Sequence, residues 1–459
     1  MLPFLDKLEK LTSKSTAQSG FRLPEWPILI LGAMILLVSF IFMPKVVSLA
    51  LSLALFIAPL WLPALLLGGA WGLWIAWRRS EFIAAQEMIL LEIKPPRNLI
   101  KTPLAMETFF SGIHLSPGEG TWYVRWIKGG VRPWWSLEIA SIEGQVHFFI
   151  WTRTFFRSVI ETQLYAQYPS IQITEAPDYT RFADLSLEKW GSGIWGCDFI
   201  HTDPDPLPIK TYVEYGLDKI QKEEEQTDPL ANLIEFMGSM GKGEQLWLQI
   251  MIRVHKGEKY HKLKDNGKPF DWKDEAKDLV KKMREETRMP YTDPVSGKEV
   301  PGFPNPTKGQ MEKIAAIERN VTKPAFDVGI RGIYLVNADQ KFRVVNLFAL
   351  MNIFKQFSSE GWNGIKAGAG SWMMQFDDYP WEIGTDKLKN KIRTALVEAY
   401  RRRQYFHPPF TFGFHPDKAM VMSTEELATI FHIPSRAIET PSLGRIQSAT
   451  SEAPVNLPV

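Results

Sequence analysis

Two uncharged stretches near the N-terminus limit what this chain can fold into. WPILILGAMILLVSFIFM (26–43) carries no charge over 18 residues, which as a helix spans about 27 Å, close to the hydrocarbon thickness of a bilayer. After Pro44 and Lys45 comes VVSLALSLALFIAPLWLPALLLGGAWGLWIAW (46–77), also uncharged and longer than one span needs. Pro59 and Pro63 predict a kink there, or an end lying along the interface. A cleaved signal peptide does not fit. The first apolar run starts too late, is too long, lacks a small-residue cleavage site and is followed at once by a second run. A soluble core helix accounts for roughly 10 to 14 apolar residues, not for two adjacent runs. The pattern predicts a transmembrane hairpin over 26–77.

Flanking charge predicts its orientation. Lys7, Lys10, Lys14 and Arg22 precede the first span and Arg78 and Arg79 follow the second, whereas the connecting loop offers Lys45. The positive-inside bias then places both ends in the cytoplasm. Trp26, Trp71, Trp74 and Trp77 are candidate interface residues together with Arg78 and Arg79. The chain has 53 basic and 51 acidic residues, so bulk charge does not select nucleic acid as a partner. Its single cysteine, Cys197, excludes an intramolecular disulfide and fits a reducing compartment.

Beyond the anchor the reading is α+β. Residues 1–25 form a cytoplasmic N-terminal segment, 26–77 the hairpin and 78–104 an extended neck. METFFSGIHL reads as a helix, TWYVRWI, RPWWSLEIA and QVHFFIW as strands, RTFFRSVIETQLYAQYP as a helix and SIQITEA as a strand. Alternation puts Trp135, Leu137 and Ile139 on one face and Ser136 and Glu138 on the other. This order predicts a ferredoxin-like unit over 105–216. A second unit over 217–420 repeats the grammar, with Asp228 capping a helix that has Pro229 at its first position. Phe156-Arg157-Ser158-Val159 against Phe342-Arg343-Val344-Val345 suggests a pseudo-repeat. The second unit holds an insertion, 256–322, whose charges alternate in sign as on a solvated helix before a Pro/Gly-rich loop. Residues 421–459 read as a helix with a Ser423/Glu426 capping box and an extended strap.

Chemistry is sparse. GSMGKGEQ (238–245) lacks the G-x-x-x-x-G-K-[ST] spacing of a phosphate loop and reads as a helix end and turn, and KGG (128–130) as a hairpin turn. His255 and His261 have no cysteine or carboxylate pattern around them and read as surface residues. Asp203 and Asp205 in HTDPDPLP could hold a metal, but proline after each favours a rigid loop. Cys197 reads as packed. No catalytic residue, cofactor site or metal site is expected. One basic cluster stands out: Lys387, Lys391, Arg393, Arg401, Arg402 and Arg403, beside an apolar stripe of Ile392, Leu396, Ala399 and Tyr400. These cations either close a helix against its dipole or contact anionic lipid or nucleic-acid phosphate.

RPWWSLEIASIEGQVHFFIWTRTFFRSVIETQLYAQYPSIQI, GKGEQLWLQIMIR and the tail VMSTEELATIFHIPS with TPSLGRI and PVNLP resemble the N-terminal, non-motor part of membrane-anchored ATPases of bacterial type IV secretion and conjugative transfer. The resemblance implies a membrane hairpin and a duplicated α+β region ahead of a RecA-like motor, in the bacterial inner membrane. The motor's motifs are not in the sequence, so the expectation is a non-enzymatic platform that docks a separately encoded ATPase. The front half of a split ATPase, and a lipid- or nucleic-acid-binding module, are the alternatives. Expected partners are the bilayer, the ATPase or other secretion subunits, and further copies of the chain. Nucleic acid stays an open alternative.

Overall fold

The structure is a computed structural model describing residues 44–96, 101–117, 119–182, 193–218, 228–257, 270–292, 299–368, 386–408 and 418–434, with single positions at 32, 34, 38, 40–42, 99, 190, 264, 267 and 416. It divides into two compact units, Met1–Trp74 and Ile75–Val459. Most of the first predicted span, Trp26, His261 and the strap after 434 lie outside the described residues.

Helix α1 (Pro44–Phe56) and helix α2 (Ala58–Ala84) make up the second apolar run. The run breaks at Ile57 because Pro59 lacks the N–H that would continue the ladder. Ile57 still donates to the Leu53 carbonyl at 3.0 Å and accepts from Leu60 at 3.0 Å, so the break leaves few polar groups exposed. No described residue of α2 is buried, and it is the one helix among the described residues long and apolar enough to cross a membrane.

The body follows α2 after three residues. β1 (Met88–Lys94), α3 (Leu104–Gly112), β2 (Trp135–Ile142), β3 (Gln145–Arg153), α4 (Arg157–Gln167) and β4 (Gln172–Ala176) come first, then the short α5 (Tyr179–Phe182). β5 (Ile194–His201), α6 (Pro229–Gly238) and β6 (Glu244–Val254) follow. The insertion contributes α7 (Trp272–Glu286), β7 (Arg288–Thr292), β8 (Glu299–Pro304) and α8 (Lys308–Thr322). β9 (Ala325–Val336), α9 (Val344–Met351), β10 (Ile365–Ala367), α10 (Asp386–Arg401), β11 (Met420–Ser423) and α11 (Thr424–Ile430) complete the described chain.

A single antiparallel sheet runs through the body in the order β10-β5-β9-β6-β2-β3-β1-β4, and β11 pairs with β9. The body is therefore two halves of one sheet, joined where β2 pairs with β6 from Trp135↔Ile252 to Ile142↔Gln245; β5, inside the first unit expected at 105–216, belongs to the second half, and β1 lies ahead of that unit. Each half has its second, third, first and fourth strands in that order outward from the join. The Phe-Arg pairs Phe156-Arg157 and Phe342-Arg343 fall at the start of the second helix in each half.

Three expectations are corrected. The neck, 78–104, contains β1, a strand paired on both sides. Its second half alternates, with Leu91 and Ile93 buried and Glu92 and Lys94 half-buried, but the alternation is short and runs straight into a basic, proline-containing stretch. TWYVRWI is a helical turn, Tyr123–Ile127, not a strand, and the KGG after it does not join two strands. The Pro/Gly-rich loop of the insertion carries the β7–β8 hairpin, whose strands pair only with each other and so tolerate proline on their open edges.

Both sheet faces are covered. One face packs Leu137, Ile150, Leu248, Ile250, Val328 and Ile330 under α3, α4, α6 and α11. The other packs Phe149, Trp151, Trp247, Ile333 and Leu335 under α10, with Phe82 and Ile83 at the end of α2 against the same cluster. The turn between β2 and β3 has Glu143 at φ 51 and Gly144 at φ 87, the left-handed pair that a two-residue hairpin requires. Glu143 is held there because its N–H donates to the Glu244 carbonyl at 3.0 Å and its carboxylate accepts from Gly243 N at 2.9 Å.

Candidate functional site

Strand alternation places Ser136 and Glu138 opposite Leu137 and Ile139, as expected, but on a face that is buried, not solvated. Register then aligns Glu138 with Gln249, Gln249 with Arg331 and Arg331 with Asp198, a polar row across β2, β6, β9 and β5. All four side chains are fully buried. Such groups persist in a core only when hydrogen-bonded. Arg331 Nε donates to Asp198 Oδ1 at 2.8 Å, and Gln249 Nε2 donates to Glu138 Oε1 at 3.1 Å and to the Tyr400 carbonyl at 3.2 Å.

Arg403 closes the row from above. It follows α10 in a left-handed conformation, φ 49, and its guanidinium meets Glu138 in a fork: Nε to Oε1 at 2.9 Å and Nη2 to Oε2 at 3.1 Å. Nη1 donates to Asp178 Oδ2 at 2.6 Å and Nη2 to Oδ1 at 3.1 Å. Ser136 Oγ at 2.7 Å and the Tyr179 hydroxyl at 2.8 Å complete the donors to Glu138, and the Tyr400 hydroxyl lies 2.9 Å from that of Tyr179. Burial alone would raise the Asp178 carboxyl, but the hydrogen bonds and charge of Arg403 hold it below the usual range. Burial, reinforced by the Glu138 charge, pushes the Tyr179 and Tyr400 hydroxyls well above theirs. Both Glu138 oxygens are already engaged. The arrangement locks α10 and α5 onto the sheet and leaves Glu138 no free position from which to act as a base.

A second group surrounds His407, which packs its ring 5.4 Å from that of Trp134. Burial, then the charges of Arg253, Arg132, Arg79 and Arg153, hold its imidazole well below its ordinary value, so it is neutral. Arg132 pairs with Glu119 at 2.9 Å and Arg253 with Asp327 at 2.7 Å. Arg153 has no carboxylate partner among the described residues. It lies 5.6 Å from the rings of both Phe82 and Trp134, and burial pushes it down to about 10.

A third group gathers under α11. Thr211 Oγ1 donates to Glu425 Oε1 at 2.5 Å, and Arg319 and Lys323 pair with the same carboxylate at 3.1 and 2.7 Å. Ser423 and Glu426 form the predicted capping box. Burial pushes the Glu426 carboxyl up to about 7.

The six cations singled out from the sequence do not share one face. Lys387 and Lys391 are exposed on α10, while Arg393 donates to the Ile194 carbonyl at 3.3 Å and to Asn390 at 2.6 Å. Arg401 and Arg402 both reach Glu398, at 3.5 and 3.0 Å, and Arg403 is buried and unavailable to lipid or phosphate. The stripe of Ile392, Leu396, Ala399 and Tyr400 is buried as expected. Trp71, Trp74 and Trp77 are exposed on α2. Arg78 donates to the Ile127 carbonyl at 2.9 Å and pairs with Glu81, and Arg79 lies near His407.

His255 is not a surface residue. Its Nδ1 lies 2.6 Å from Asp327 and its Nε2 2.9 Å from Asp271. Asp205 pairs with His201 at 3.0 Å, and buried Asn363 ties the loop by donating to the carbonyls of Asp203, Pro204 and Leu207, as a rigid loop requires. Among the described residues no group of three or more His, Cys, Asp or Glu side chains could hold a metal. Cys197 is packed in the core. In GSMGKGEQ the chain leaves α6 at its carbonyl end and turns through Gly243, φ 78, into β6. That end of a helix repels a phosphate.

By fold the protein is an α+β chain built on one antiparallel sheet, preceded by an apolar helix. A family model described as Domain of unknown function (DUF8128) matches residues 79–445, and the chain belongs to that family. No curated protein matches it. No solved structure matches it.

Proposed function

We propose that the chain is a membrane-anchored, non-enzymatic platform of a type IV secretion or conjugative-transfer machine, docking a separately encoded ATPase. In this reading 26–77 is a transmembrane hairpin in the bacterial inner membrane with both ends cytoplasmic. The body is a pair of ferredoxin-like units fused through their second strands. The matching strand order of the two halves supports the duplication, which is also a feature of the resembling secretion ATPases.

One observation carries the reading. An apolar helix with no fully buried residue runs, after three residues, into β1, a strand paired on both sides, while half-buried Phe82 and Ile83 at its end pack against the core under the sheet. An apolar helix that leads so directly into the sheet suits a membrane-anchored platform. The forked Arg403–Glu138 pair, which engages both carboxylate oxygens, favours a structural body over a reactive one. The exposed apolar side chains of Val344, Val345 and Phe348 on α9 give a surface for the docked ATPase.

The test is cross-linking in native membranes, followed by isolation through a tag on this chain and protein identification. The reading expects a RecA-type ATPase and secretion subunits to be enriched over an unrelated membrane protein carrying the same tag. Recovery of neither would overturn it.

A further inference from the structure

The segment after α3 folds back against the end of α2. Gly129 has φ 68, and a Cβ there would overlap the backbone of Arg78 and Arg79. Glycine thus permits backbone-to-backbone approach at the residues that end the apolar run. Arg78 Nε seals the contact by donating to the Ile127 carbonyl at 2.9 Å. The turn Tyr123–Ile127 is therefore fixed at the level of Arg78. Trp122 lies five residues from Ile127, within about 8 Å along a helical turn.

This turn carries what a bilayer interface selects. Trp122 is 63% exposed and Tyr123 54% exposed, large aromatic surfaces that a body with both sheet faces covered would otherwise bury. Arg125 and Lys128 are exposed on the same turn, and the Lys128 ammonium stands 5.7 Å from the Tyr123 ring. The nearby carboxylates are engaged: Glu119 by Arg132 at 2.9 Å, and Glu81 by Arg78. The turn therefore presents aromatic rings with net positive charge, the combination that settles among anionic headgroups.

We propose that residues 122–128 form a collar seated in the headgroup layer of an anionic phospholipid bilayer, beside the point where α2 leaves it. The collar rests on the reading of α2 as a membrane span. It adds a second contact between the chain and the bilayer.

The test uses the full-length chain in nanodiscs of phosphatidylcholine, with or without phosphatidylglycerol, containing a lipid spin-labelled near the headgroup. Cys197 is buried, so one introduced cysteine takes an environment-sensitive fluorophore. Trp122→Cys is the probe, with Tyr123→Cys as a second site. Trp71→Cys reports the span, and Phe303→Cys, exposed on β8, reports water. Quenching at 122 and 123 is expected to be at least about twofold greater than at 303, to increase with phosphatidylglycerol, and to lose that increase in an Arg125→Glu, Lys128→Glu background. Quenching at 71 with 122 and 123 no different from 303 would overturn the collar and leave the span intact. No quenching at 71 would overturn the span and the collar with it. Quenching at 122 that ignores phosphatidylglycerol would overturn the anionic headgroup as its partner.

Discussion

His255 ties the insertion to the sheet, and its replacement by Gln has a calculable consequence. The ring is 4% exposed and sits between Asp327 on β9 and Asp271, the N-cap of α7. Burial alone would lower its pKa, but hydrogen bonds and charge from Asp271 and Asp327 outweigh that and raise it to about 9. A rise from 6.5 to about 9, at about 1.4 kcal/mol per tenfold change in proton affinity, stabilises the folded state by about 3 kcal/mol. Because the folded value is raised, this stability is fully present below about pH 6.5 and disappears as the pH rises through 9. Urea denaturation of the full-length protein in detergent, at pH 6 and pH 9.5, is the assay. The native protein should lose about 3 kcal/mol across that interval beyond what His255→Gln loses. At pH 9.5 the two should differ little. Equal pH slopes for the two proteins would refute the assignment of a charged, doubly paired imidazole.

Three further outcomes follow from the geometry. Arg403→Met should destabilise by roughly 3 to 5 kcal/mol because it leaves the buried Glu138 carboxylate without its cation, and adding Glu138→Gln should recover part of the loss, measured by the same denaturation. Arg402→Ala, which removes an exposed cation paired with Glu398, should change stability by less than about 1 kcal/mol. Gly129→Ala should cost more than about 1 kcal/mol and speed hydrogen exchange at 123–130, since it meets both a left-handed backbone and the Arg78 backbone.

Much of the fold was legible where an element has one solvated face or a specific cap. Asp228, with its side chain accepting from Leu230 N, and the Ser423/Glu426 box mark their helices as the sequence suggests. β1 escaped because its alternation, buried Leu91 and Ile93 against half-buried Glu92 and Lys94, is short, and basic and proline residues follow it directly. The helical turn at Tyr123–Ile127 escaped because its aromatic and β-branched residues favour strands, whereas the contact with Arg78 and the turn's own bonds, such as Val124 N to Thr121 Oγ1, hold it helical. The polar row was half visible. Glu138 and Arg331 each interrupt an apolar strand, which is the signal of a buried charge awaiting a partner. Their alignment depends on the pairing of β2 with β6 and β6 with β9, a long-range register that spacing within a strand does not encode. Arg403 was hidden in a run of three arginines. The left-handed turn at Arg403 itself separates it from half-buried Arg401 and exposed Arg402.

The docking claim is tested most directly by a photo-cross-linking residue placed at Val345, 76% exposed on α9, in cells that make the full-length chain, with position 303 as the control. The platform account predicts an ultraviolet-dependent adduct with a RecA-type ATPase at 345, much weaker at 303. If 345 gives no ATPase adduct in cells where that ATPase is present, the docking claim is contradicted.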